Sequence, residues 1–355
     1  MSGYYKNRGK VVRLALVFAI FTIFLYANPQ GGEKLVWSSD LVWPVDRNVY
    51  DNRYATIVVR KGNSLDRVAI IINDRPAANR KITPKTNIHE EFVCLTVELM
   101  LGENRVEVLG FDKEDRKVLE KSLTLYQKSI LQKKFRYPPK EYHKTYFHNE
   151  RFETPCADCH DMSVNEVKGV AFEDIEESNC FICHKSVMFE KYMHAPAANW
   201  LCATSCHNGQ SGRFNEKFKG ASKFIYPDPI AKTCFECHEK FEKRFKKEKY
   251  RHEPVDDGRC NKCHNPHGGN DKKFLRYQVW YLCTTCHTEK KSKPHVVTTF
   301  SSRGHPTKGK KLPNNPNEEL TCVSCHNPHV SNNGFMLRDY MGEGLMLWCN
   351  KCHKK

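Results

Sequence analysis

One short motif recurs eight times after residue 155 and takes up sixteen of the seventeen cysteines in this 355-residue chain. Seven copies have the form Cys-x-x-Cys-His, and the eighth has one additional residue between its cysteines. The copies are Cys156-Cys159-His160, Cys180-Cys183-His184, Cys202-Cys206-His207, Cys234-Cys237-His238, Cys260-Cys263-His264, Cys283-Cys286-His287, Cys322-Cys325-His326 and Cys349-Cys352-His353. Motifs this close together leave little room for large apolar elements, so whatever they bind must form much of the core.

The spacing within the motif suits covalent attachment of haem. Two thiols must reach the two vinyl groups of one porphyrin, and the adjacent histidine must then lie under the iron as its proximal ligand. We therefore predict eight haem c groups, held by the sixteen motif cysteines, with the eight motif histidines bound to iron. The copy at Cys202 and Cys206 departs from the spacing and reaches both vinyl groups only if its loop bulges.

Zinc, a redox dithiol and a disulfide framework are the other uses of many cysteines. Zinc takes four ligands and would pair neighbouring motifs in twos. Disulfide scaffolds are typical of short secreted chains, and a lone Cys-x-x-Cys would fit a redox dithiol. Eight repeats that each end in histidine favour haem over all three.

Nine of the seventeen histidines lie outside the motifs. His89 lies far from them in sequence, and the other eight match the number of irons, so we predict bis-histidine ligation throughout. These predicted distal ligands are His143, His148, His194, His252, His267, His295, His305 and His329. Methionine is the rival distal ligand, and Met162, Met188, Met193, Met336, Met341 and Met346 are available.

An iron with both axial positions filled has no place for a small substrate, so this ligation predicts electron transfer and no catalytic residues. A catalytic haem needs an open position or an unusual ligand such as lysine, and the chain contains no Cys-x-x-Cys-Lys. Two alternatives stay open at this point. One is an octahaem reductase of nitrogen or sulfur oxyanions, and the other is a subunit of an extracellular cytochrome filament.

The motifs are organised as four tandem units. His148, His194 and His252 each stand eight positions before the first cysteine of a motif, and His305 precedes Cys322 after a longer insertion. Each of these four motifs is followed by a second one. Units that repeat at this period suggest an array in which each unit contacts its neighbours, which predicts a chain of closely spaced haems.

The third and fourth units resemble a known family. The segments RHEPVDDGRCNKCHNPHGG and CVSCHNPHVS are similar to the doubled-CXXCH multihaem cytochromes of metal- and sulfur-respiring bacteria, a likeness that extends over residues 148–353. The resemblance implies that His267 and His329 are distal ligands to neighbouring haems. The first two units depart from it, since Asp161 and Asn208 follow their motif histidines and no CHNPH occurs.

Residues 35–130 have a different pattern, with β-branched runs separated by short turns. The predicted strands are Tyr54–Arg60, Arg67–Ile72, Phe92–Leu101, Arg105–Leu109 and Val118–Tyr126, with a Gly102-Glu103-Asn104 turn. This pattern predicts an antiparallel sandwich of roughly seven strands. The stretch LMLGENRVEVLGFDKEDRKV resembles the end of bacterial immunoglobulin-like modules. Cys94 is interpreted as a small buried hydrophobe in its strand.

The predicted fold class is an all-β immunoglobulin-like sandwich followed by a multihaem cytochrome c domain of loops and short helices around a haem chain. The predicted divisions are a signal peptide or membrane anchor at 1–27, the sandwich at 35–130, a linker at 131–147 and the octahaem domain at 148–355. Four basic residues before a 14-residue apolar run favour export, to the periplasm or the cell surface. An inner-membrane anchor is the alternative.

The basic charge has an explanation if the chain binds haem. Residues 131–355 hold 37 basic and 26 acidic side chains, which supply +11 of the formal +16. Such an excess often indicates nucleic acid. Each haem, however, brings two propionates, so eight haems bring about −16. We predict no nucleic-acid partner. The expected partners are other cytochromes, a quinol-oxidising membrane complex or a terminal acceptor, and association with a surface, a membrane or further copies of the chain stays open.

Overall fold

The computed structural model describes residues 40–82, 91–154, 157, 180–292, 295, 305–339, 342 and 344–353. All of them fall within one compact unit, Trp37–Lys355. Within these ranges no helix has both the length and the apolar character that a membrane crossing requires. The export signal predicted at 1–27 and the first motif, Cys156-Cys159-His160, lie outside the described residues.

Strands dominate the described part of residues 40–127, where two sheets form. The strands are β1 Asp40–Trp43, β2 Val49–Tyr50, β3 Tyr54–Arg60, β4 Arg67–Ile72, β5 Arg75–Lys81, β6 Phe92–Glu98, β7 Gly102–Phe111 and β8 Lys117–Gln127. One sheet has the order β1-β3-β6, and the other has the order β2-β8-β7-β4-β5. Neighbours are antiparallel except β2 and β8, which run parallel. The predicted strand-rich N-terminal region is confirmed.

The two sheets share one buried core. Alternate residues of β4, Val68, Ile70 and Ile72, point inward, as the period-two spacing of a half-buried strand requires. They join Ile57 of β3 and Leu125 of β8 in the same apolar cluster, both fully buried. Because β3 belongs to one sheet and β4 and β8 to the other, the sheets pack face to face as a sandwich.

The turn predicted at Gly102-Glu103-Asn104 is wrong in its position, because these residues already form the start of β7. The chain turns just before them, and the buried side chain of Asn104 closes that turn. Its amide nitrogen donates to the carbonyls of Met100 (2.7 Å) and Gly102 (3.0 Å), and its oxygen accepts from the Met100 N–H (2.8 Å). Gly102 has a φ of +92°, which explains the glycine.

The segment 131–147 packs on the sandwich. The Tyr142 hydroxyl donates to Glu103 (2.7 Å), and its ring lies 5.4 Å from the ring of Tyr126. The His143 N–H donates to the Arg47 carbonyl (3.1 Å), and the Val49 N–H donates back to His143 (3.2 Å). His143, a predicted iron ligand, is therefore held by the sandwich through its backbone.

From residue 148 the described chain consists of short helices, loops and small ladders. The helices are α1 Glu150–Glu153, α2 Phe181–His184, α3 Ala195–Ala198, α4 Ala231–Phe235, α5 Glu239–Lys247, α6 Glu253–Asp256, α7 Val279–Cys286, α8 Cys322–Cys325 and α9 Leu345–Cys349. The strands are β9 Tyr192–Met193, β10 Tyr250–Arg251, β11 Gly268–Gly269, β12 Lys311–Leu312, β13 Asn315–Glu319 and β14 Val330–Ser331. The loop and short-helix character predicted for this half is confirmed.

Replacing Asn104 with alanine removes four hydrogen bonds inside the sandwich, three with Met100 and Gly102 and one that Asn104 accepts from Asn73 (3.3 Å). It leaves the Met100 N–H and two carbonyls without their partner, at a cost of about 1–3 kcal/mol of unfolding free energy. Thermal unfolding followed at the strand band of the circular dichroism spectrum measures this loss. Ser122→Ala, an exposed change on β8, is the control. Equal melting temperatures for the two variants would contradict the role of Asn104.

Candidate functional site

Each described motif with regular spacing folds into one turn of helix. In all six, the N–H of the motif histidine donates to the carbonyl of the first cysteine, at 2.9–3.0 Å. These histidines are His184, His238, His264, His287, His326 and His353. This single i→i+4 bond fixes two thiols and one imidazole on the same short segment, as attachment to one flat group requires.

The motif with the additional residue keeps the same bond by widening its turn. Residues Cys202–Cys206 form a π-helical turn, and the His207 N–H donates to the Cys202 carbonyl across five residues, at 2.7 Å. A π turn absorbs one inserted residue without displacing the backbone on its C-terminal side. The bulge that the sequence required at this copy is therefore present, and His207 has the same backbone relation to its first cysteine as the other motif histidines.

The motif histidines are matched in space with histidines from outside the motifs. Seven pairs have ring centroids 5.8–6.2 Å apart. The pairs are His184 with His148, His207 with His267, His238 with His194, His264 with His329, His287 with His252, His326 with His295 and His353 with His305. In the first five of these pairs the rings lie within 30° of parallel.

This separation fits a single metal ion between the two rings. A metal–nitrogen bond is about 2 Å long, so two imidazoles that bind one ion from opposite sides have centroids roughly 6 Å apart. In the described part of the chain, no group of three or more histidine, cysteine or acidic side chains could hold a metal ion. Two protein ligands suit haem iron, which receives its other four from the porphyrin.

The imidazoles of these pairs are oriented by hydrogen bonds at Nδ1. His207, His264 and His326 donate to the carbonyls of residues 224, 273 and 335, at 2.7–2.9 Å. A carbonyl oxygen only accepts, so Nδ1 carries the proton and Nε2 keeps its lone pair for a metal. Distal candidates do the same, with the acceptors Glu153 for His148, Pro266 for His194 and Pro306 for His305. No sequence signal indicated these acceptors, because most are backbone atoms.

Burial keeps His184, His267 and His329 neutral, as metal binding requires. It lowers the pKa of His184 to about 3, with a smaller effect from the charge of His148. It lowers the pKa of His267 and that of His329 to about 4 each. A buried charged imidazole would be costly, so these side chains are poised as ligands across the physiological range.

Thiols of consecutive motifs lie within interaction distance of each other. A hydrogen bond with Cys260 raises the pKa of Cys234, and one with Cys283 lowers the pKa of Cys322 to about 7. Weaker electrostatic contacts join further thiols. One such contact for each step from one described motif to the next is Cys180 with Cys202, Cys206 with Cys237, Cys234 with Cys260, Cys263 with Cys286, Cys283 with Cys322 and Cys325 with Cys352.

Cys94 lies in β6 as predicted, but its environment is not purely apolar. Its Sγ is 3.0 Å from that of Cys183, a cysteine of the second motif. The hydroxyl of Thr56, on the neighbouring strand β3, donates to the Cys183 carbonyl at 2.6 Å. The sandwich therefore contacts the second motif directly, a relation that nothing in the sequence indicated.

A cluster of charges joins the sandwich to the motifs near His207. Asp51 pairs with Lys144, and Lys128 lies 3.9 Å from its other oxygen. Burial alone would raise the pKa of Asp51, but the charges of Lys144, Lys128 and Arg276 hold it below its usual range. Arg276 in turn donates to the Asn261 carbonyl (2.7 Å), inside the motif that begins at Cys260.

Comparison with known proteins agrees with this geometry. Residues 252–292 and 314–355 match the family model of the doubled CXXCH motif. The chain is also 28% identical over 172 residues to the multiheme cytochrome MtrA of Shewanella baltica (strain OS185). That match covers 43% of this chain and 46% of the relative, so the chain spans less than half of the relative's length. The chain carries the doubled CXXCH motifs of multihaem c-type cytochromes, as the sequence predicted, and these motifs support covalently bound haem c.

Solved structures with strand-rich folds also match. The fibronectin(III)-like modules of Clostridium thermocellum CbhA are 13% identical, with a TM-score of 0.20, over 26% of this chain and 96% of theirs. CopC from Methylosinus trichosporium OB3b is 14% identical, with a TM-score of 0.21, over 26% of this chain and 95% of its own. These likenesses concern the fold and assign no activity.

Replacing Asp51 with asparagine changes how the stability depends on pH. Because the folded-state pKa of Asp51 lies below its ordinary value of about 3.9, its ionised form stabilises the fold above that pH. This contribution is lost as the pH falls through the lower folded value. We expect Asp51→Asn to lower the melting temperature at neutral pH and to flatten its decline in acid.

The measurement is thermal unfolding of the two proteins from about pH 6 down to about pH 2. Asp74→Asn is the matched control, because it removes an exposed carboxylate that pairs with Arg105 at 2.6 Å. An exposed pair of this kind contributes little to stability. Parallel pH profiles for wild type and Asp51→Asn would contradict the assignment.

Proposed function

We propose that this chain is an electron-transfer cytochrome that carries eight covalently attached haem c groups, each with two histidine ligands. The observation that carries the proposal is the set of seven histidine pairs, each with one motif histidine and centroids about 6 Å apart. His143 is the remaining distal candidate, and the proximal ligand His160 completes the count by the motif rule.

When bound, haem supplies a one-electron Fe(III)/Fe(II) couple. The motif cysteines would hold the group covalently, and the paired histidines would bind its iron. Each described motif histidine has a partner histidine, so the protein leaves no axial position to a small substrate at these motifs. This supports an electron carrier over the octahaem reductase. Methionine takes no part in the seven pairs. A haem with two histidine ligands has a lower reduction potential than one with a histidine and a methionine.

The order of the motifs supports a haem chain. From the second motif to the eighth, a thiol of each motif interacts with a thiol of the next. Motifs that follow one another in sequence are therefore neighbours in space, as expected for an array of repeats. Groups attached to these thiols would form a continuous row, along which electrons pass between neighbours.

The setting that fits this chain is respiration outside the cytoplasm. The match to a multiheme cytochrome, together with the basic, then apolar, N-terminal sequence, supports export to the periplasm or the cell surface. The partners would be other cytochromes, a membrane complex that oxidises quinol, or a terminal acceptor. Haem propionates would offset most of the basic charge of residues 131–355, so the loaded protein would offer no strongly cationic face to nucleic acid.

Electron paramagnetic resonance of the oxidised protein, with a pyridine haemochrome assay for haem content, tests the ligation. We expect eight low-spin haems per chain. Near-parallel imidazoles give a rhombic ferric signal, whereas strongly crossed ones give a more anisotropic signal. The pairs at His326 and His353, with interplanar angles of 56° and 88°, should give the second type. A high-spin haem that binds carbon monoxide would favour the reductase alternative.

Without haem, the half of the chain after residue 148 should lose its structure. In the described residues the buried apolar clusters lie in the sandwich and in the segment packed on it. The motif-bearing half must therefore receive its core from the bound groups. Limited proteolysis of the full chain, produced without haem attachment, should leave a resistant fragment that contains the sandwich. An apoprotein that resists cleavage over residues 180–353 would contradict this.

A further inference from the structure

The first histidine of each unit pairs with the second motif of that same unit. His148 faces His184, His194 faces His238, His252 faces His287, and His305 faces His353. The rule holds in all four units, although the first two lack the CHNPH segment. One of the two haems of each unit is therefore liganded from within the unit.

The first motif of a unit pairs with a histidine from a different unit. His207, in the second unit, faces His267, which belongs to the CHNPH segment of the third. His264, in the third unit, faces His329, which belongs to the CHNPH segment of the fourth. In both cases the partner comes from the unit that follows along the chain.

A small β ladder brings the two distal histidines of one unit together. Strand β9 pairs with β11, and the N–H of His194, just after β9, donates to the carbonyl of His267, just before β11, at 3.0 Å. His194 faces His238, and His267 faces His207. His207 and His238 are the motif histidines of the second unit. The ladder thus joins the backbone segments that supply the two distal histidines of the second unit.

The third unit is built in the same way. Strand β10 pairs with β14, and the His252 N–H donates to the His329 carbonyl at 3.0 Å. The carbonyl of the proline before each CHNPH histidine also accepts a hydrogen bond, Pro266 from His194 and Pro328 from His252. The proline of CHNPH therefore orients one distal ligand while the histidine after it supplies the other.

The fourth unit has no successor and closes by a different route. His295 and His305 form an antiparallel bridge with each other. His295 faces His326 and His305 faces His353, which are the motif histidines of the fourth unit. His295 lies in the third unit and not in a CHNPH segment. In the fourth unit, both distal histidines therefore come from the segment 295–305, which lies before the motif at Cys322.

We propose that, in the second, third and fourth units, the two distal ligands of the haem pair lie side by side on one ladder or bridge, and that the His295–His305 bridge terminates the array. This inference rests on the proposed bis-histidine ligation and assigns its partners. It makes the haem at Cys260 and Cys263 dependent on His329, in the following unit. A repeat cannot then be removed without opening an iron in the unit before it.

The test locates the iron that each distal histidine serves. Holoprotein carrying His329→Ala should contain one high-spin haem per chain, which binds carbon monoxide when reduced and returns to low spin when imidazole is added. Adding Cys260→Ser and Cys263→Ser removes the haem at that motif. The high-spin signal should then disappear, since the opened iron is gone.

The matched control adds Cys322→Ser and Cys325→Ser to His329→Ala, which removes the haem of the motif that His329 follows in sequence. Here the high-spin signal should persist. If the high-spin signal were lost only in this control, His329 would serve the haem of its own unit, and the proposed ligation between units would be wrong. A His329→Ala protein that remains fully low-spin would overturn the assignment of His329 itself.

Two further histidines keep the test independent of any one variant. His267→Ala should lose its high-spin signal with Cys202→Ser and Cys206→Ser, and His295→Ala should lose it with Cys322→Ser and Cys325→Ser. Any other motif that abolishes either signal would overturn the proposed exchange. High-spin haem in the wild-type protein would instead count against the proposed function, so the two failures are distinguishable.

Discussion

The structure after residue 148 depends on pairs of imidazoles whose centroids are held about 6 Å apart. Each pair needs two histidines from distant parts of the chain, and Nδ1 of many of them is tied to an acceptor, as it is in His194. Without a bound group between them, such an arrangement leaves polar nitrogens facing one another across a gap, which is unfavourable. The local backbone, with helices of four to nine residues, places these rings. In the proposed haem protein, metal–ligand bonds would supply the stabilisation that apolar packing supplies in the sandwich.

The sandwich is stabilised differently, because its apolar side chains meet in one core and none of the paired histidines lies in it. Its link to the haem-bearing half is nevertheless direct. His143 is held between Arg47 and Val49, Thr56 bonds to the second motif, and Asp51 contributes a half-buried negative charge near Arg276. A freely tethered module would not place a charge there. We infer that the sandwich supports the motifs that it contacts.

Much of this could be predicted from the sequence, for physical reasons. The Cys-x-x-Cys-His spacing is local in sequence, so it was sufficient to locate each described motif. The period-two pattern of apolar residues predicted the positions of β3, β4, β6 and β8 closely. The pairing of histidines could not be predicted, because it depends on contacts between repeats. His295 carries no local signal at all. The π turn at Cys202 was foreseen only as a bulge, since five-residue hydrogen bonding has no sequence signature.

A repeat array whose units exchange ligands would have two incomplete ends, and here each end is completed by a contact other than a CHNPH segment. At the C-terminal end the bridge between His295 and His305 replaces the missing successor. Toward the N-terminal end, the Lys223 N–H donates to the His148 carbonyl at 2.9 Å, so the second unit still contacts the first one's leading histidine without a CHNPH segment. His143, fixed by the sandwich, is the distal candidate left at that end. A CHNPH histidine would serve the preceding unit, and in the chain the sandwich precedes the first unit. The second unit lacks CHNPH as well, and the Lys223–His148 hydrogen bond is a contact that it makes with the first unit instead.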